Sequence, residues 1–320
     1  MADLMALLGE PLQLNFMRHA FLAILLVGII CGTIGTFVTL RGLAFLGDAM
    51  AHAIFPGLVI AFVLGANFLI GALIAAVIVS VGIGIVTQSG RLTHDTVIGV
   101  FFAGAFALGI TILSLQGSFA RDVTSFLFGS ILGVSAADLT LTAVVGGLVL
   151  AALAVFRREL IAVAFDRTFA RSTGLNLWAW DQLFLLLLAL TIVVSLQTVG
   201  NVLVLAMLVT PAATARMLTD RLPTTMLLAA LIGAGAGIAG LFISFYAGVS
   251  SGASVVLVAT ALFGLVFLFA PKNGVITARV RHRLHYPHPE RDVYDDADNP
   301  RSAAAPAAPP GSLEHERTRP

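Results

Sequence analysis

Charged residues are scarce in this sequence of 320 residues. They make up 11% of the chain, against about 25% in an average soluble protein. Hydrophobic residues reach 58% and the mean hydropathy is +1.00, which excludes a soluble globular protein. Alternating strand patterns are also lacking, whereas apolar runs recur at about 20 residues, the length of a membrane-spanning helix. The sequence therefore predicts an all-α, polytopic membrane bundle.

Lysine and cysteine each occur once. Lys272 lies beyond the last apolar segment, and no Gly-x-x-x-x-Gly-Lys precedes it, so the chain lacks a phosphate-binding loop of its own. If ATP drives this protein, the ATPase must be a separate polypeptide. Cys31 lies within an apolar run, and a single cysteine excludes an intrachain disulfide.

The apolar segments predict eight or nine membrane crossings. The predicted helices cover residues 18–40, 47–66, 69–88, 95–116, 138–156, two helices within 182–217, 224–247 and 252–270. We divide 182–217 near 198–201, because Gly200, Asn201 and Pro211 interrupt it and such interruptions line cavities in transporters. Residues 117–137 are too short to cross, which predicts a re-entrant or interfacial segment.

Arginine positions predict the orientation and the division of the chain. A loop containing Arg157, Arg158, Arg167 and Arg171 is expected to be cytoplasmic, which puts the N-terminus outside if there are nine crossings. Residues 1–17 form a lead and residues 18–275 the transmembrane part. The polar, Ala/Pro-rich residues 276–320 predict a disordered cytoplasmic tail.

Asp48 is the one carboxylate between Glu10 and Asp95, and it lies in apolar sequence. On a helix it shares a face with His52, four residues later. Inserting a carboxylate into a membrane costs about 2.5–3.5 kcal/mol, so this pair indicates a functional site. Its oxygen and nitrogen ligands suit Zn²⁺, Mn²⁺ or Fe²⁺. The alternative is that Asp48 caps a helix and His52 is a satisfied core histidine.

Five stretches, spread in order over residues 15–275, carry a family resemblance. They are Gly47-Asp48-x-x-x-His52-x-x-x-Pro56, residues 94–103, 122–138 and 160–175, and Val199-Gly200-Asn201 through Pro211 to Ala215. Together they resemble the ABC-type permeases that import zinc, manganese and ferrous iron. Residues 160–175 look like the coupling loop of that family, with the matching positions Phe165, Asp166, Arg167, Ala170, Arg171 and Gly174.

The resemblance implies a transport subunit of the plasma membrane rather than an enzyme. Asp48 and His52 would contact the transported metal, and Gly200, Asn201 and Pro211 would line the path or break a helix. For Pro211 the favoured alternative is a packing kink, because proline beside alanine and threonine is common in membrane helices. The implied partners are a second permease copy, a cytoplasmic ATPase that uses ATP, and an extracytoplasmic metal-binding protein. No permanently bound cofactor and no nucleic acid are expected. Imidazole affinity favours zinc as the cargo, with manganese or iron as alternatives.

Three other functions compete with this prediction. A permease for a metal chelate such as a siderophore would not need a carboxylate and an imidazole within the membrane. An intramembrane metalloprotease is disfavoured because the chain has no His-Glu-x-x-His. A secondary transporter should show corresponding broken segments in both halves, and only the one near Gly200 is found.

Overall fold

The computed structural model describes residues 10–115 and 131–270. In those ranges every regular element is helical, and nine helical segments are long and apolar enough to cross a membrane. The prediction of an all-α bundle is confirmed, with nine spans rather than eight. The helices are α1 (Asn15–Leu40), α2 (Ala44–Ala53), α3 (Phe55–Val63), α4 (Phe68–Gln88), α5 (His94–Ser114), α6 (Ala136–Val155), α7 (Arg157–Phe165), α8 (Arg167–Ser172), α9 (Leu177–Val199), α10 (Asn201–Leu218), α11 (Leu222–Ala247) and α12 (Ser251–Phe269).

Helix α1 is the centre of the packing, and glycines bring it close to its neighbours. A Cβ added to Gly28 would lie 2.7 Å from the backbone nitrogen of Ala234, and one added to Gly32 would lie 2.6 Å from the carbonyl oxygen of Ala229. Both contacts are with α11. Such small-residue contacts replace the hydrophobic driving force, which is absent between helices in lipid.

The second span is broken in the middle. It starts at Ala44, earlier than the predicted residue 47, and α2 ends at Ala53 before α3 begins at Phe55. Pro56 explains the break, because it has no N–H to give to the carbonyl of His52 and its ring crowds that carbonyl. His52 therefore lies in the last turn of α2, beside an interruption of the span.

The long apolar run after residue 182 divides at Gly200, within the predicted 198–201. Gly200 has φ +84° and ψ 164°, a conformation that is essentially restricted to glycine. Pro211, by contrast, does not break a helix, because α10 runs through it from Asn201 to Leu218. The prediction of a break there is wrong. Only one intrahelical bond is lost at Pro211, and the buried residues Met207, Leu208 and Ala212 hold this part of α10 in the core.

Three predicted regions fall partly or wholly outside the described residues. The first is the lead, of which only residues 10–17 are described, and α1 already begins within it at Asn15. The second is the central segment 117–137, where the described part holds a short 3-10 turn at Ile131–Gly133 and the start of α6. The third is the tail, 276–320.

Candidate metal site

Asp48 and His52 lie on one face of α2, as their spacing predicts. Asp48 Oδ1 is 3.5 Å from His52 Nε2, and the two side chains are 30% and 19% exposed. Helix α2 is capped at Leu43 without any side-chain hydrogen bond, and Asp48 lies inside the helix. A capping role for Asp48 is therefore not what the structure shows. The carboxylate and the imidazole lie within reach of one small cation.

Asn201 joins this pair from the other side of the bundle. It is the first residue of α10, directly after the turn at Gly200, and its side chain amide nitrogen lies 3.1 Å from His52 Nε2. The residue is 5% exposed, and its Oδ1 has no hydrogen-bond partner within the described part of the chain. The two amide atoms are assigned from hydrogen bonding. In either assignment Asn201 presents a buried amide oxygen at or near the imidazole.

Two phenylalanines of α5 enclose the imidazole. The rings of Phe102 and Phe106 lie edge-on to His52, with centroids 5.4 and 5.2 Å away. Apolar walls lower the local dielectric and so strengthen the interaction of a carboxylate with a cation. Sequence reasoning missed both rings. Their spacing of four residues, on the helix that follows His94-Asp95, is the signal that could have identified them.

The site lies near the middle of its span. His52 is about 12 Å along the helix from Ala44, the first residue of the span, at a rise of 1.5 Å per residue. Among the described residues, no three His, Cys, Asp or Glu side chains form a cluster. One chain therefore supplies a carboxylate, an imidazole and an amide, a sparse set that suits a site of passage.

The predicted coupling residues form a separate region. Asp166 accepts hydrogen bonds from the backbone N–H groups of Thr168 and Phe169 and so caps α8. Ala170 is buried, and Gly174 ends the segment with φ +82°. Phe165 and Phe169 are exposed. This region therefore combines polar groups and exposed aromatic rings on two short helices outside the nine spans.

An ion-pair cluster that sequence reasoning missed connects this region to the spans. Asp181, on α9, accepts hydrogen bonds from Arg41 Nη1 at 2.8 Å and from Arg167 Nη2 at 2.7 Å. The Arg41 guanidinium also lies 4.3 Å from the ring centroid of Phe184. The pKa of Arg41 is lowered, because burial disfavours its charged form more than the Asp181 carboxylate stabilises that form. The signal in the sequence was a lone carboxylate at the start of an otherwise apolar helix.

Known proteins are similar to this chain in both sequence and fold. The ABC 3 transport family matches residues 13–270. The manganese transport system membrane protein MntC of Halalkalibacterium halodurans is 46% identical over 87% of this chain and 95% of its own length. A probable iron transport system membrane protein of Haemophilus influenzae is 36% identical over 85% of this chain and 96% of its own. The structure of PsaBC from Streptococcus pneumoniae in complex with Fab matches with a TM-score of 0.76 and 33% identity, covering 86% of this chain and 99% of that chain.

Proposed function

Because the chain belongs to the ABC 3 transport family and is a membrane permease subunit rather than an enzyme, we propose that it forms the path by which Mn²⁺ is imported across the plasma membrane. The observation that carries this proposal is the meeting of Asp48, His52 and Asn201 near the middle of a span. Each presents an oxygen or nitrogen atom that can bind a divalent cation.

The ligand chemistry favours manganese. A carboxylate oxygen and an amide oxygen are hard ligands, which suit Mn²⁺, and a single imidazole is compatible with it. The one cysteine, Cys31, is buried and contacts Ser195, so it does not add a soft ligand to the site. The two relatives from Halalkalibacterium halodurans and Haemophilus influenzae, matched over 95% and 96% of their own lengths, are named for manganese and for iron. These names do not support the preference for zinc that imidazole affinity suggested.

Ferrous iron is the second candidate cargo. The Haemophilus influenzae relative is named for iron, and imidazole is a common ligand of Fe²⁺. Competition between the two ions in a transport assay separates these cargoes.

We infer that two copies of the chain complete the site. Asp48 is 30% exposed although it lies within a span, so this side of the site is open to another protein. Three ligands from each of two copies would give six, the octahedral number that Mn²⁺ accepts. An extracytoplasmic binding protein would deliver the ion to this path.

A separate ATPase is the proposed occupant of the coupling region. Residues Phe165, Asp166, Arg167, Ala170, Arg171 and Gly174 lie in or directly after the short helices α7 and α8, outside the nine spans. The exposed rings of Phe165 and Phe169 would supply the apolar anchors that protein interfaces favour.

The experiment is transport into liposomes by the permease reconstituted with the ATPase that co-purifies with it. We expect Asp48→Asn and His52→Gln to abolish Mn²⁺ flux while the complex still assembles. His19→Gln, a substitution of the same kind outside the site, should transport normally. Normal flux in both site variants would contradict the assignment and would favour a core role for His52.

A further inference from the structure

One carboxylate holds three separate elements together. Asp181 Oδ1 binds Arg41 and Oδ2 binds Arg167, so α9, the turn before α2 and the start of α8 meet at a single side chain. Within the described part of the chain, these two ion pairs, both to Asp181, are the salt bridges found between these elements.

Each of the three residues belongs to an element with a proposed role. Arg41 lies in the short turn between α1 and α2, where its backbone N–H donates to the Phe37 carbonyl, and α2 carries Asp48 and His52. Asp181 lies near the start of α9, whose other end leads through Gly200 to Asn201. Arg167 is the first residue of α8, in the region proposed to bind the ATPase.

We propose that Asp181, Arg41 and Arg167 are positioning residues that transmit movement of the coupling region to the metal site, through α2 on one side and α9 on the other. This inference rests on the proposed function, because it requires that the site at Asp48 binds the transported ion. Helix α2 begins three residues after Arg41 and carries Asp48 and His52, and α9 runs from Asp181 to Val199, two residues before Asn201, so a displacement of the cluster reaches the site through these two helices.

The surroundings of the cluster differ at its two ends. The Arg41 side chain is 8% exposed and is held by both Asp181 and the face of Phe184. The Arg167 side chain is 52% exposed. It lines cavities of about 210 and 470 Å³ that both reach Asp181. Arg41 is thus fixed to the bundle, whereas Arg167 has room to change its contact when the coupling region moves.

The test measures the number of Mn²⁺ ions transported per ATP hydrolysed by the reconstituted permease–ATPase complex. We expect Arg167→Gln and Asp181→Asn to lower this ratio at least about fivefold. Binding of Mn²⁺, followed by the loss of the free-ion signal in electron paramagnetic resonance, should stay unchanged in both variants. Arg158→Gln removes an exposed arginine from the same connecting region and should keep the normal ratio.

The outcomes separate this inference from the proposed function. Arg167→Lys keeps the positive charge beside Asp181 and should recover part of the ratio, and equal co-purification of the ATPase with Arg167→Gln and the unchanged permease would show that docking is not what changed. An unchanged ratio in Arg167→Gln overturns the three-way connection. If Asp181→Asn fails to assemble, Arg167→Gln decides, since Arg167 is half exposed. Loss of Mn²⁺ binding in Asp48→Asn, together with a normal ratio in Arg167→Gln, supports the site and refutes the connection.

Discussion

Asn201 and His52 are 149 positions apart, yet their side chains approach to 3.1 Å. The turn at Gly200 makes this contact possible, because it ends α9 and starts α10 with Asn201 facing α2. The buried amide then lies at the imidazole, where it can act on the same ion as Asp48.

Removing the Asn201 amide should weaken metal binding. Asn201→Leu keeps the approximate size of the side chain but has no oxygen, so we expect Mn²⁺ affinity to fall at least about tenfold, the effect of losing even an outer-shell partner. Asn201→Asp should instead bind more tightly and release more slowly, because a carboxylate replaces an amide. Equilibrium binding and transport rate measure the two effects. Unchanged affinity in Asn201→Leu would show that Asn201 only orients His52.

Gly200 should tolerate no side chain. Its φ of +84° and ψ of 164° are accessible essentially to glycine alone, and such strain costs about 1–3 kcal/mol. Gly200→Ala is therefore expected to lower the thermal unfolding temperature and to reduce Mn²⁺ affinity by displacing Asn201. Gly147→Ala is the matched control, because Gly147 lies in α6 and a Cβ added to it has no neighbouring atom within 4 Å. Equal unfolding temperatures for the two variants would contradict this prediction.

Much of the fold could be predicted because it depends on local composition. Apolar runs of spanning length predicted eight or nine membrane crossings, and the described residues contain nine helical segments of that length. Gly200 within a long run predicted the division between α9 and α10. The spacing Gly28-x-x-x-Gly32 is typical of closely packed membrane helices, and α1 makes such a contact with α11. In each case the physical cause lies within the segment itself.

The rest could not be predicted because it depends on partners distant in sequence. Pro211 resembled a break, but the packing around it keeps α10 continuous. Asp48 and His52 were identified from their spacing, whereas the aromatic walls from α5 require the tertiary arrangement. The same is true of Arg41 and Asp181, which are 140 positions apart.

The contact between α1 and α11 should be sensitive to a single methyl group. A Cβ at Gly28 would approach the backbone of Gly233 and Ala234 to less than 3 Å, so Gly28→Ala must push the helices apart. Overpacking of this kind costs about 1–3 kcal/mol. Gly235→Ala, on α11 but with nothing within 4 Å, should be neutral. Thermal unfolding in detergent measures the stability of both variants. Equal unfolding temperatures for Gly28→Ala and Gly235→Ala would contradict the close approach of α1 and α11.

Replacing Arg41 alone should lower the stability of the protein more than replacing both Arg41 and Asp181. Arg41→Met leaves a largely buried carboxylate with only the half-exposed Arg167 as partner. Leaving a buried charge uncompensated costs about 3–5 kcal/mol, and because Arg167 still compensates Asp181 in part, the expected loss of stability is below that range. The double variant Arg41→Met, Asp181→Leu removes both charges and should be more stable than Arg41→Met alone. Because both variants lack Arg41, the comparison isolates the Asp181 carboxylate and its remaining contact with Arg167. If the double variant is the less stable of the two, Asp181 is held by Arg167 alone and the Arg41 contact contributes little.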